Sequence, residues 1–188
     1  MNTRIIGLLM AFLISITPLI AAKRGTPHEP AISTDSTVAV RTVQNFLRWY
    51  KANIGATSRI ILVNQNPGKP YSVNIKNTEQ YLATLRSSHL LTDTFLNEWR
   101  TFFKERQTGF QATPQREGPP TGFDYDLVML SQEVDMQLDS LKTLKIKSVK
   151  LKQNKAAVKF FLLADYEFRL VQQNNRWLIN EILNLSAE

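Results

Sequence analysis

The sequence predicts an α+β fold in which N-terminal helices pack on a curved antiparallel β-meander. Three observations predict it. From Leu144 to Leu183 apolar residues recur with period two between short turn signals. From Val38 to Ile54 they recur with helical spacing. Two further helical stripes, opened by Thr78 and by Thr92 or Asp93, lie between. The 188 residues suffice for one domain with its own core.

Residues 1–22 stand apart. Arg4 supplies a positive start, Ile5 to Ile16 is an apolar run, and Pro18 and Ala21-Ala22 follow. This is the pattern of a secretory signal peptide cleaved near Ala22. Ile20 departs from the small-residue cleavage pattern, so the exact site stays open. Read as an uncleaved anchor, the apolar core is short and is interrupted by Ser15, Thr17 and Pro18. No stable membrane insertion is therefore expected after cleavage, and the expected location is periplasmic or secreted. The chain has no Cys, hence no disulfide and no thiolate chemistry. An exported domain of that kind fits a bacterial periplasm and must be held by its core alone.

Residues 23–36, with Gly25, Pro27 and Pro30, read as a flexible leader before a single domain over 37–188. Asp35, Ser36 or Thr37 is expected to cap the first helix. Its stripe is Ala39, Val43, Phe46, Leu47, Tyr50 and Ile54, and Gly55 is expected to end it. Arg59 to Val63 reads as a short strand and Asn64 to Pro70 as a turn. The second helix carries Tyr81, Leu82 and Leu85. The third carries Phe95, Leu96, Trp99, Phe102 and Phe103, and Ser87 to Leu91 joins the two. These aromatic residues read as core. Gln107 to Gly122 is rich in Pro and Gly and reads as a long loop, either functional or disordered. Phe123-Asp124-Tyr125-Asp126 and the apolar run Leu127 to Leu130 follow.

In the meander, Gln153-Asn154-Lys155, Ala164-Asp165 and Asn174-Asn175 are the turn signals. Val158, Phe160 and Leu162 share one face, as do Tyr166, Phe168 and Leu170. In the first strand the phase slips between Leu144/Ile146 and Val149/Leu151, which predicts a β-bulge near Ser148. The last strand, Trp177 to Ile182, is mixed on both faces and is expected to be covered on both sides.

The net charge is +7, and loss of Arg4 with the export segment would leave +6. The densest basic cluster is Lys142, Lys145, Lys147, Lys150 and Lys152. It reads as a solvated strand face that discourages edge pairing, in preference to an anion-binding strip. Export and the lack of interleaved aromatics argue against a nucleic-acid partner.

Candidate chemistry is sparse. Asp124 and Asp126 share one face if the segment is extended. Such a pair could bind a divalent cation, although a hard cation wants more oxygens, and the reaction to expect of a desolvated Asp with a Tyr donor is proton abstraction. The competing reading is that they cap a turn or bond the loop backbone. His28 and His89 have no partner at metal spacing, so no metal site is expected. No nucleophile elbow or phosphate-binding Gly loop occurs, and no cofactor is expected.

A long helix, two more helices and a meander ending in Asn174-Asn175-Arg176-Trp177-Leu178-Ile179-Asn180-Glu181-Ile182 resemble the cone-shaped nuclear-transport-factor-2-like fold. More narrowly, Asn45-Phe46-Leu47-Arg48-Trp49-Tyr50, Asp124-Tyr125-Asp126 and Gln132 resemble an uncharacterised family of exported bacterial proteins with that fold. That family's Asp-x-Asp-Pro-Phe and Ala-Gln-Asp are here Asp124-Tyr125-Asp126-Leu127-Val128 and Ser131-Gln132-Glu133. The resemblance implies a fold and a compartment. It implies no activity, since such folds host unrelated functions.

The expected function is that of an exported, non-catalytic binding module. The expected partner is another protein, for instance a secreted hydrolase toxin that attacks the cell wall, with this chain as its immunity protein. The candidate binding residues are Phe110, Arg116, Phe123, Asp124, Tyr125, Asp126 and Gln132, because loops on rigid scaffolds commonly carry recognition. The alternative is a small-molecule-binding protein or enzyme that uses the cone interior. The oligomeric state is left open.

Overall fold

A computed structural model describes residues 34–187. The expected signal peptide, most of the expected leader and His28 lie outside the described residues. Helix α1 spans Thr34–Thr57. It begins before the expected cap, so the last three residues of the expected leader, 34–36, are helical. It also runs past Gly55, whose Cβ position is open space, so nothing there forces a stop. Ala39, Val43, Phe46, Leu47 and Tyr50 have no solvent exposure. Each such large side chain contributes about 1.5–3 kcal/mol on burial. This stripe is what fixes α1 on the sheet.

The expected strand over Arg59 to Val63 shrinks to β1, Val63–Asn64, paired antiparallel with β2, Ser72–Val73. Helix α2 spans Ile75–Arg86 and starts one turn before Thr78. Asn74 is the cap, its side chain accepting from Asn77 N–H, a role that Asn fills as well as Thr. Helix α3 spans Asp93–Ala112 and is capped by Thr92, as expected. It takes six residues of the expected loop, because Phe110 continues the buried stripe of Phe95, Leu96 and Phe103. Trp99 and Phe102 are partly buried against the same core.

A short helix, α4 (Val134–Asp139), and a single 3-10 turn (Leu141–Thr143) lead into the meander. Its strands are β3 (Lys145–Lys152), β4 (Lys155–Phe161), β5 (Asp165–Gln173) and β6 (Arg176–Asn184), antiparallel and in sequence order. The protein is thus α+β, helices followed by a four-stranded antiparallel sheet. The register shift expected near Ser148 occurs between Ile146 and Ser148. Asn174 and Asn175 both have positive φ, as a two-residue hairpin turn requires. A second shift, opposite Arg169 and Leu170, explains the mixed pattern of β6. It places Trp177, Ile179 and Ile182 all in the core, so one bulged face replaces the expected double covering.

Val158, Phe160, Leu162, Tyr166 and Phe168 are fully buried, and α1 packs on β3, β4 and β6. Strand β3 is an edge, and Lys145, Lys147, Lys150 and Lys152 are exposed on it. The other edge, β6, is covered: Ile179 N–H donates to Leu90 O at 2.8 Å, and Thr92 N–H donates to Ile179 O at 3.0 Å. The link between α2 and α3 therefore completes the sheet.

Candidate functional site

Tyr50 ends the buried stripe of α1, so packing fixes its ring while its hydroxyl reaches beyond the stripe. That hydroxyl donates to Asp126 Oδ2 at 2.5 Å. Asp126 is in turn set by its own loop. Its N–H donates to Ser131 O, and its Oδ1 accepts from Val128 N–H at 3.1 Å and Met129 N–H at 2.7 Å. Leu127, Val128 and Met129 are buried and anchor this loop. Asn184 donates to Leu130 O at 2.9 Å, and Tyr166 Oη lies 2.9 Å from Gln137 Oε1 and 3.1 Å from Met129 O. The end of the sheet thus holds the loop from below.

Tyr81, 4% exposed, completes the group, its hydroxyl interacting with Tyr50. Burial pushes the Tyr50 and Tyr81 phenols far above their ordinary value, and the nearby Asp126 charge adds to it. Both phenols are neutral at any physiological pH. Burial also raises the Asp126 carboxyl, opposed by its hydrogen bonds from Tyr50, Met129 and Val128. Burial pushes Tyr166 up to about 12.

A cavity of about 680 Å3 opens beside this group. Its walls come from the end of α1 (Ile54, Gly55, Thr57), residues 60–63, and the segment around Phe123, Tyr125 and Leu127. Tyr50, Tyr81, Asp126 and Asp135 are among its polar groups, with Thr57, Ser58 and Gln65. An apolar hollow with a few converging polar groups is the usual form of a small-molecule site. It lies away from the apolar face of the sheet, which Phe160, Phe168 and Trp177 fill.

The sequence-predicted residues divide. Asp126, Tyr125 and Phe123 line the cavity. Phe123 is also stacked in the aromatic core against Phe103 and Phe110. Phe110 is 5% exposed and belongs to α3, not to a displayed loop. Asp124 is exposed, so it and Asp126 do not share one environment. Gln132 is exposed and donates to Asp124 O at 3.3 Å. Arg116 is exposed on the remaining loop, residues 113–122. That loop is pinned: Gln115 Oε1 accepts from Thr121 N–H, Gln115 Nε2 donates to Pro119 O, and Tyr71 donates to Gly118 O. Among the described residues no group of three or more His, Asp or Glu could hold a metal ion, and no helix is long and apolar enough to cross a membrane.

Sequence reasoning missed Tyr50 and Tyr81 as site residues, because both sit on helical stripes and read as core. The available signal was their polar tips, since a buried Tyr hydroxyl needs a partner. No protein-family model matches the chain, and no curated protein or solved structure matches it.

Proposed function

We propose that this is an exported, non-catalytic binding protein whose ligand is a small molecule held in the cavity beside Tyr50 and Asp126. The observation that supports it is the cavity itself, about 680 Å3 with mainly apolar walls and the buried tyrosines and Asp126 converging on it. Binding in preference to catalysis is supported by Asp126. Both its oxygens already hold the framework, one accepting from two N–H groups and one from Tyr50. Export rests on the pattern of residues 1–22. The element order and the bent meander support a nuclear-transport-factor-2-like cone and membership of the exported family that Asp124-Tyr125-Asp126 resembles.

The test is a fragment screen by NMR on the protein and on Gly55→Trp. Gly55 lines the cavity and has nothing within 4 Å of its Cβ position, so a side chain begun there meets open space. Fragments that shift cavity resonances in the parent and not in Gly55→Trp are the expected result. Fragments that bind both equally would sink the reading.

A second reading keeps a protein partner, such as a secreted cell-wall hydrolase that this chain inhibits. It is supported by one feature: Pro120, Phe123 and Tyr125, at the end of the loop that carries Arg116, also line the cavity. A partner seated on that loop would cover the cavity. Capture of one stoichiometric hydrolase by the parent, and its loss in Arg116→Glu, is the outcome this reading requires.

A further inference from the structure

We infer that the cavity takes an organic cation, an ammonium group carried on an apolar body; this rests on the small-molecule reading above. Among the described residues, two carboxylates, Asp126 and Asp135, line the cavity, and no Lys, Arg or His does. The chain has 23 Lys and Arg against 16 Asp and Glu, so a hollow of purely negative lining runs against the composition. An anionic ligand would meet two carboxylates there and no counter-charge.

The two carboxylates are differently committed. The Asp135 side chain makes no ion pair or hydrogen bond to any described residue, and the residue is exposed. Asp126 Oδ2 accepts one hydrogen bond, from Tyr50, and a carboxylate oxygen has room for a second. Burial raises the Asp126 carboxyl and the Asp135 charge adds to it, and a cation in the cavity would favour the ionised form.

The remaining walls suit the same ligand. Phe123 and Tyr125, both partly buried, give the lining its accessible aromatic surface, whereas the Tyr50 and Tyr81 rings are packed in the core. Aromatic faces attract cations through the ring quadrupole, most strongly when water is excluded. An apolar body is accommodated by the aliphatic wall at residues 60–63. Carboxylates, aromatic rings and apolar surface together favour a cation over a neutral molecule of the same shape.

Three probes that share a benzyl group test this: benzylammonium, benzyl alcohol and phenylacetate, titrated by NMR at neutral pH against the protein and against Asp135→Asn. The first is a primary ammonium, charged at that pH, and can donate to Asp126 Oδ2. The expected order puts the cation tightest by about tenfold or more over the alcohol, with phenylacetate weakest. Asp135→Asn is expected to lose most of that preference while still binding the alcohol, since no fold contact depends on its charge. If the alcohol matches the cation, or phenylacetate exceeds it, the charge inference is overturned and the cavity reading stands. If none of the three shifts a cavity resonance, both fall.

Discussion

The Tyr50 hydroxyl and the Asp126 carboxylate meet at 2.5 Å across 76 residues of sequence. This bond joins the end of α1 to the loop that precedes α4, and forms the floor of the cavity. Tyr50→Phe removes the donor and leaves a largely buried carboxylate one partner short. The expected cost is about 1–3 kcal/mol. Chemical denaturation of Tyr50→Phe, Asp126→Asn and the double variant measures the coupling. Strictly additive losses would show that the bond carries no energy of its own.

The pH dependence includes two opposed contributions, from Glu167 and from Asp126. Arg169, with Lys159, holds the Glu167 carboxyl below its ordinary 4.5. As the pH falls the unfolded chain takes up that proton first, so Glu167 contributes stability above pH 4.5 that is lost through its lower folded value. Asp126 is raised above its ordinary 3.8 by burial. Its contribution is present below 3.8 and is lost as the pH rises through its higher folded value. Glu167→Gln is therefore expected to flatten the acid limb of a stability profile, and Asp126→Asn to steepen it. Unchanged acid limbs in both would contradict the assignment.

Gly122 has φ +85, and a Cβ there would lie 3.0 Å from Arg106 Cδ and 3.3 Å from Phe102 Cζ. Gly122→Ala is expected to cost about 1–3 kcal/mol through backbone strain and crowding. Gly55→Ala is the contrast. It sits in a helix with open space around its Cβ position and is expected to gain about 0.5–1 kcal/mol. Thermal melts of the two should move in opposite directions.

Phe103 is 2% exposed and packs on Tyr81, Trp99, Phe102 and Phe123. Phe103→Ala is expected to cost about 3–5 kcal/mol and to loosen the cavity wall that Phe123 and Tyr81 share. Phe161→Ala, at an outward position 38% exposed, is expected to cost under about 1 kcal/mol. Equal losses would mean the aromatic cluster is not the core it looks to be.

Periodicity made much of the fold legible. The stripe of α1, the cap at Thr92, the bulge between Ile146 and Ser148 and the hairpin at Asn174-Asn175 are local patterns, and local backbone and side-chain geometry produces them. The second bulge was equally present in the spacing of Trp177, Ile179 and Ile182. It was hidden because two-sided burial gives a similar pattern. The boundary of α3 was missed because loop composition around Gly109 and Pro114 outweighed the single apolar signal of Phe110.

The sequence by itself determined the fold class, the buried faces and the pattern that predicts export. Each rests on residues close together in the chain, where period and turn chemistry act directly. Tertiary structure alone decided that Tyr50, Tyr81, Asp126 and Asp135 share one cavity. Their proximity depends on how α1, α2 and the loop at 126–131 pack against one another. No local pattern specifies that packing, because each of these residues satisfies its own element equally well as core, cap or surface.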